Sequence, residues 1–475
     1  MSREDLSDLS IETLYERLRP VTATKGTTFI NWGQSFECTP LTVFEPTNED
    51  ECRLVFELAR REGKHVSFAG IGHSPSDLAC TSEFMLRTTK LNRVLEINKD
   101  KKYAIVQGGI ILEDLHEALA VYDLSMKNLG SISAQTLAGV ITTATHGTGI
   151  HYGVISTYVM SLTLLLADGS RLFCSREERP DVFMASLCGL GSTGLLLEIQ
   201  IEVSDVFRLK DVQETVPFSD VIDHLDEYVQ SCDFPRFWWY PDADVFRKSL
   251  VNRTTEPIQT SSSWFWSSLV GRYFLEFALY LGRFFPSLLP HIGRFAAWLA
   301  GPKSTTVDLS KNIFNFDCLF VQYTTEWAIP YTETKACLQD LHAWLSKERA
   351  DPKGVRPHFP IEVRFSDADD IWLSPSFGRK STWLGIVQYK PYGSTVVYKP
   401  IFDEFENIIM KYDGRPHWAK SHPFYPEDLR KHYPHFDDFV KVLQEVDPDG
   451  LLRNEYVRRH IFGDRSVSRM VFERP

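Results

Sequence analysis

From Phe29 to about Val203 the spacing of hydrophobic positions switches between the strand period and the helix period, as strands alternating with helices require. Cys52, Val55, Phe56 and Ala59 form a helical stripe that Gly63 ends, and Thr47 with Asp50 predicts a capping box at its start. The apolar strand His65 to Ala69 runs into Gly70-Ile71-Gly72-His73-Ser74-Pro75-Ser76. A second unit follows, with strand Tyr103 to Val106, then Gly108-Gly109, then helix Ile111 to Val121. Val159 to Ala167 and Ser170 to Cys174 flank Asp168-Gly169 and predict a β-hairpin. Helix Asp181 to Leu187 leads through the glycine-rich stretch Gly189 to Gly194 into strand Leu195 to Val203. Loops able to carry chemistry therefore fall at strand ends. There is no internal repeat and no low-complexity tract.

Beyond about Ser204 the pattern shifts to aromatics and longer strands, which predicts a second, α+β domain. The expected division is 1–205, then 206–436, with 437–475 packing back on the first unit. Trp264 to Gly301 is dense in Trp, Phe and Leu, but Arg272, Glu276, Arg283, Arg294, Pro286 and Pro290 interrupt it. No uncharged run there reaches the roughly 20 apolar residues of a spanning helix. Phe274, Phe277, Ala278, Leu281 and Phe285 share one helical face. Two readings stand open: a helix pair in the second domain's core, or a helix lying on a membrane surface through 264–301.

Composition narrows the function. A net charge of −12 with no Lys/Arg-dense stretch argues against a nucleic-acid partner. The 8 cysteines form neither a CxxC pair nor a Cys/His cluster, so neither a metal site nor a disulfide framework is expected. Met1 to Pro20 lacks the apolar core of a secretory signal, which points to an intracellular, reducing setting.

Four segments are candidates for chemistry. The turn at Ala69, Gly70, Ile71 and Gly72 can bring backbone N–H groups against a diphosphate, although the dinucleotide GxGxxG spacing fails here. His73, on the loop tip, could serve as base, ligand, hydrogen bonder or nucleophile. Leu137 to Gly149 is built of small and hydroxyl residues suited to lie along a flat ring, with Thr142, Thr143 and Thr145 as donors and His146 as a structural or catalytic imidazole. Glu362 and Arg364 alternate along a strand and share a face. They form a plain ion pair, or else a carboxylate for a substrate hydroxyl and a guanidinium for developing negative charge. His417 and Lys420 lie three apart in Arg-Pro-His-Trp-Ala-Lys and can converge on one site.

The segment Gly70-Ile71-Gly72-His73-Ser74-Pro75-Ser76-Asp77 resembles the flavin-linking loop of the sugar-1,4-lactone oxidase family, in the vanillyl-alcohol oxidase flavoprotein superfamily. Asn128-Leu129-Gly130-Ser131-Ile132-Ser133, Thr145-His146-Gly147-Thr148-Gly149 and Pro416-His417-Trp418-Ala419-Lys420 agree with that family in order, so the resemblance runs from Phe29 to Gly463. It implies an α+β, two-domain architecture: a vanillyl-alcohol-oxidase-type FAD-binding domain with an α+β substrate (cap) domain. It further implies FAD joined through its 8α carbon to His73 and lined by Ala69, Gly70, Ile71, Gly72, Ser74, Gly130, Ser131, Ser133, Gly139, Thr142, Thr143, His146, Gly147 and Ile199. Glu362, Arg364, His417 and Lys420 would face the substrate.

The implied reaction is oxidation of an aldono-1,4-lactone at C2, with O2 reduced to H2O2. D-arabinono-1,4-lactone comes first, from the Asn128–Ser133 segment, with L-gulono- and L-galactono-1,4-lactone as alternates. A cytochrome- or quinone-linked lactone dehydrogenase is the rival, and an alditol or oligosaccharide oxidase a further one. Gly130 stands where the family's plant dehydrogenase has alanine, which favours the oxidase. The resemblance also implies attachment to a mitochondrial or endoplasmic-reticulum membrane.

Overall fold

The computed structural model describes residues 6, 8–259, 271–316, 318 and 320–472. Three sheets carry the architecture. A parallel sheet joins β1 (Thr42–Phe44), β2 (Val66–Ala69) and β3 (Phe84–Arg87) in the order β1-β3-β2. Helix α1 (Glu49–Glu62) crosses between β1 and β2 and packs Val55, Phe56, Leu58 and Ala59 into the core. Its cap sits one residue later than Thr47: the Asn48 side chain accepts from Glu51 N at 3.0 Å, while Thr47 N donates back to the Glu51 carboxylate at 2.6 Å. Asn is at least as good an N-cap as Thr, so the register follows the better acceptor.

An antiparallel sheet of β4 (Val94–Asn98), β5 (Tyr103–Gln107), β6 (Val159–Leu165), β7 (Arg171–Ser175) and β8 (Leu195–Glu202) has the order β7-β6-β8-β5-β4. β6 and β7 are the expected hairpin, turning at Gly169 with φ of 79°.

The third sheet is larger and antiparallel: β9 (Arg208–Pro217), β10 (Phe234–Tyr240), β11 (Val245–Thr254), β12 (Lys303–Leu309), β13 (Gln322–Pro330), β14 (Ile361–Ser366), β15 (Ser381–Tyr389) and β16 (Arg415–Pro416). Its order is β12-β9-β11-β10-β14-β15-β13-β16. One face buries Phe237, Trp239, Phe246, Trp327, Val363 and Phe365, whose aromatic bulk supplies much of the driving force for folding. The other face carries polar side chains, described below.

Of the segment 264–301, residues 271–301 are among the described ones and 264–270 lie outside them. Helices α2 (Leu275–Gly282) and α3 (Leu289–Leu299) pack Leu275, Leu279, Ile292 and Ala296 into a small cluster with Phe320, Phe359 and Tyr389. The expected stripe faces mostly outward, with only Ala278 and Leu281 half-buried, and residues outside it make the inward side. Leu275 and Leu279 point inward, whereas Phe274, Phe277 and Phe285 are exposed, as are Phe284 and Trp298. A two-helix hairpin has only one side on the domain, so aromatic residues elsewhere on α2 stay in solvent.

The C-terminal part returns to the parallel sheet. Val66 N donates to Leu451 O at 2.8 Å, and Glu455 accepts from Ser82 N at 2.9 Å. Arg459 Nη2 donates to both carboxylate oxygens of Asp77, at 2.8 and 2.9 Å, with both side chains buried. This buried, charge-assisted pair ties the end of the His73 loop to helix α4 (Glu455–His460).

Candidate active site

β2 ends at Ala69, and the chain turns through Gly70 and Gly72 because side chains have no room there. A Cβ on Gly70 would lie 2.4 Å from Thr136 Oγ1, and Gly72 takes φ of 85°. This turn, residues 136–145 and the strained loop Gly191–Gly194 line one elongated cavity. Gly70, Ile71, Gly72, His73, Ser74, Gly139, Thr142 and Thr143, all expected at a cofactor, line it, together with Leu195, Leu196, Ala419 and Asn454. Ala69 is buried just before the turn. Ile199 lies farther along β8, fully buried in the core, while Leu195 and Leu196 of that strand meet the cavity.

His73 sits at the cavity's edge, stacked on Trp32 with ring centroids 5.3 Å apart. Its Nδ1 is buried with no hydrogen-bond partner among the described residues. Burial, then the charge of Lys420, pulls its pKa down to about 4. The ring is thus a neutral nucleophile at ordinary pH. A cradle of bare backbone, hydroxyls and one unpartnered imidazole fits an extended dinucleotide flavin.

Gly130, Ser131, Ser133, His146 and Gly147 do not line that cavity; several of them lie against the large sheet or the loops beside it. Ser131 Oγ accepts from Arg364 Nη1 at 3.2 Å. Ser133 is committed to Asn315 at 2.8 Å and His116 at 3.1 Å. Gly147 lets Asn128 approach, for a Cβ there would stand 2.2 Å from Asn128 Oδ1.

Across the polar face of the sheet, Trp238, Glu362, Gly385 and Glu326 are paired in register on β10, β14, β15 and β13. Arg364, one step along β14, reaches over Gly385 and donates to Glu326 Oε1 at 2.6 Å. Gly385 puts no side chain beside Glu326, and a Cβ there would already be in van der Waals contact with Glu326 Cγ at 3.6 Å. Arg364 Nε lies 3.3 Å from Glu362 Oε2. β16 leads into His417, whose backbone N donates to Glu326 O at 3.0 Å, and Lys420 Nζ comes within 3.6 Å of Glu326 Oε2. Glu362, Arg364, His417 and Lys420 do converge, and the residue joining the last three is Glu326.

The electrostatics follow from that geometry. Burial alone would raise the Glu326 pKa, but Arg364, His146 and Lys420 outweigh it and hold the carboxyl well below its usual range. Burial would lower Arg364, yet Glu362 and Glu326 keep it above its ordinary value. His146 stacks on Trp383 at 3.6 Å and donates from Nε2 to Glu326 at 3.2 Å. Its Nδ1 lies 2.9 Å from the Gly147 carbonyl, so a second proton would find an acceptor. Burial and Arg364 nevertheless win and draw His146 down to about 4. Burial also keeps His417 well below the usual histidine value. The site therefore presents two neutral imidazoles, two carboxylates and two cations. His146, Glu326 and His417 have ligand atoms within 4.8 Å of one another, but Arg364 and Lys420 already supply positive charge at that carboxylate.

Sequence reasoning passed over Glu326, Arg236, Gly385 and Asn454. One signal was available for Glu326: a lone carboxylate in the otherwise uncharged strand Gln322–Pro330.

A family model described as D-arabinono-1,4-lactone oxidase matches residues 199–460, and one described as FAD binding domain matches residues 40–175. The L-gulonolactone oxidase of Scyliorhinus torazame is 40% identical over 440 residues, 92% of this chain and 99% of that protein. The D-arabinono-1,4-lactone oxidase of Eremothecium gossypii is 31% identical over 445 residues, covering 83% of each chain. Among solved structures, cholesterol oxidase from B. sterolicum superposes with a TM-score of 0.79, covering 97% of this chain and 100% of that one at 14% identity, a likeness of fold alone.

Proposed function

Because the chain belongs to the D-arabinono-1,4-lactone oxidase family of FAD-dependent oxidoreductases, we propose that it oxidises an aldono-1,4-lactone at C2 and passes the electrons to O2. The observation that carries this reading is the convergence of Glu362, Arg364, Lys420 and Glu326 on one buried polar face. FAD, when bound, supplies the two-electron acceptor. The glycine cradle and His73 are the residues that would hold it, with His73 Nδ1 or Nε2 as the covalent anchor.

The protein's share of the chemistry is positioning and proton handling. The C2–H bond breaks as hydride, the C2 hydroxyl gives up its proton, and C2–O becomes a carbonyl, so the lactone loses two electrons and two protons. Glu362 orients the hydroxyl and accepts its proton. Arg364 and Lys420 set positive charge where negative charge grows, and they spend nothing on reorganisation because Glu326 already holds them. The 2-keto lactone then enolises to an ascorbate-type ene-diol. O2 takes the two electrons and leaves as H2O2.

Asn128–Ser133 points to D-arabinono-1,4-lactone, while 40% identity to an L-gulonolactone oxidase, against 31% to a D-arabinono-1,4-lactone oxidase, weighs toward L-gulono-1,4-lactone. We place the six-carbon lactone first. Gly130 supports oxidase chemistry: a Cβ there would make only ordinary contacts, 3.4 Å to Thr145 Cγ2 and 3.5 Å to His146 O, so the glycine is not required by packing.

The test is direct. Acid-precipitated protein should stay yellow, His73→Ala should release the colour, and L-gulono-1,4-lactone should bleach the flavin and yield peroxide. Flavin that remains bound in the His73→Ala precipitate would refute the anchor. Reoxidation by O2 no faster than that of free flavin would favour the dehydrogenase reading.

We also propose a peripheral membrane contact at α2 and α3. Phe274, Phe277, Phe284, Phe285 and Trp298 are exposed close to Arg283 and Arg294, a composition that suits a lipid headgroup boundary. No helix among the described residues is long and apolar enough to cross a membrane. A mitochondrial or endoplasmic-reticulum surface is the one the family resemblance implies. Co-sedimentation with anionic vesicles, abolished by replacing Phe277, Phe284 and Phe285 with Ser, is the expected result.

A further inference from the structure

The polar face continues past Glu362 to a side chain that the reaction as described does not use. Arg236 on β10 is 5% exposed. Its Nη2 donates to Phe314 O at 3.2 Å, and its guanidinium lies over the rings of Trp238 and Phe316, at 5.5 and 5.1 Å from their centroids. Those contacts fix the head group in place. They leave Nε with no hydrogen-bond partner among the described residues. Nε stands 3.8 Å from Glu362 Oε1, which is also without a partner and too far for a direct hydrogen bond.

A hydroxyl group has the chemistry to bridge that gap. At roughly 2.9 Å from the nitrogen and 2.7 Å from the carboxylate oxygen it accepts from Nε–H and donates to Oε1 at once. Neither an ammonium, which only donates, nor a carboxylate, which only accepts, can do both.

Beside Arg236 opens a cavity of about 210 Å³. Besides Arg236 its polar lining includes Asp211, Gln213, Ser249, Thr306, Asn312 and Asn315, and nearly half of the wall is apolar, with Phe and Trp rings. The lining mixes one cation, one anion, amides, hydroxyls and aromatic rings, which suits a neutral ligand with both hydroxyl and CH faces rather than an ion. At roughly 30 Å³ per water-sized group it has room for a two-carbon glycol.

We propose that this cavity receives the exocyclic arm of the lactone, and that Arg236 with Glu362 reads one of its hydroxyls. The inference rests on the lactone reading above. It assigns Arg236 a specificity role: the glycol arm of a hexonolactone is held there, the single CH2OH of a pentonolactone less well, and a tetronolactone, which has no arm, not at all.

The experiment measures kcat/KM of the holoenzyme on a hexono-, a pentono- and a tetrono-1,4-lactone. Wild-type protein should prefer them in that order. Arg236→Met should lower the hexonolactone value by about tenfold or more, chiefly through KM, and leave the tetronolactone within about twofold. Thr306→Phe, on the edge strand β12, should fill the cavity and give the same selective loss if Arg236→Met proves poorly folded. Equal losses on all three lactones in both variants would overturn the proposal, since a merely structural arginine affects every substrate alike. Wild-type protein bleached by none of the three would instead refute the lactone reading itself.

Discussion

The two halves of the site are made from opposite materials. The cofactor side is shaped by what is missing: Gly70, Gly72, Gly139, Gly191 and Gly194 withdraw side chains so that backbone can come close. The substrate side is shaped by charge packed where charge is costly. Glu326 and Arg364 are nearly inaccessible, and each is tolerable only beside the other. A cradle of backbone fails when something is added. A buried ion network fails when something is taken away.

Removal should have the largest effect. Arg364→Met takes the nearest guanidinium from buried Glu326 and half-buried Glu362 and leaves the charge that grows on the substrate side to Lys420 alone, so kcat/KM for the lactone should fall by about a thousandfold. Flavin content, read from the ratio of visible to ultraviolet absorbance, should stay near wild type. A variant that loses its flavin as well would break the separation between the two sides.

Addition comes next. Gly70→Val drives a side chain into Thr136, whose Oγ1 is only 2.4 Å from the Cβ position. Overpacking of this kind costs about 1–3 kcal/mol, so flavin occupancy should drop about tenfold. The fraction that keeps flavin should show an unchanged KM for lactone.

Acid should weaken the charged side further. Burial lowers His146 to about 4, and His358 and His460 to about 3. In the unfolded chain each takes up a proton below about pH 6.5, so between that pH and its native value the unfolded state binds more protons. Stability is then full above pH 6.5 and falls as the pH drops, by about 2 kcal/mol for each histidine at pH 5. Urea unfolding at pH 7 and pH 5 measures the loss. His146→Gln should make it shallower, and an unchanged pH slope would mean that His146 is already protonated beside Glu326.

The smallest expected effect is the most selective. Gly130→Ala meets only ordinary contacts, so folding and the lactone half-reaction should hold within about twofold. Reoxidation by O2, followed by stopped flow, should slow by about tenfold if that methyl closes the oxygen path. An unchanged oxidative rate would leave Gly130 as a turn residue.

Much of the cofactor side was legible in the sequence because it is local. A strand running into Gly-Ile-Gly-His, and a small-residue stretch ending in Thr-His-Gly-Thr-Gly, declare their backbone needs within a few positions. The alternation Glu362-Val363-Arg364 likewise forced both charges onto one face. The aromatics along α2 were legible as one face but not as an exposed one, because helical period shows which residues share a side but not which side the domain covers.

What the sequence determined by itself was the order of elements, the glycine turn with His73 at its tip, and the two substrate-facing motifs. Only the tertiary structure decided who answers whom. Arg364 meets Glu326 from 38 residues away, over a glycine on a third strand, and Asp77 meets Arg459 from 382 residues away. Arg236 comes beside Glu362 only because β10 pairs with β14 in one register. A one-residue slip of β10, β13 or β14 would turn Arg236, Glu326 or Arg364 to the opposite face, so strand register, which no local pattern in the chain fixes, sets the chemistry.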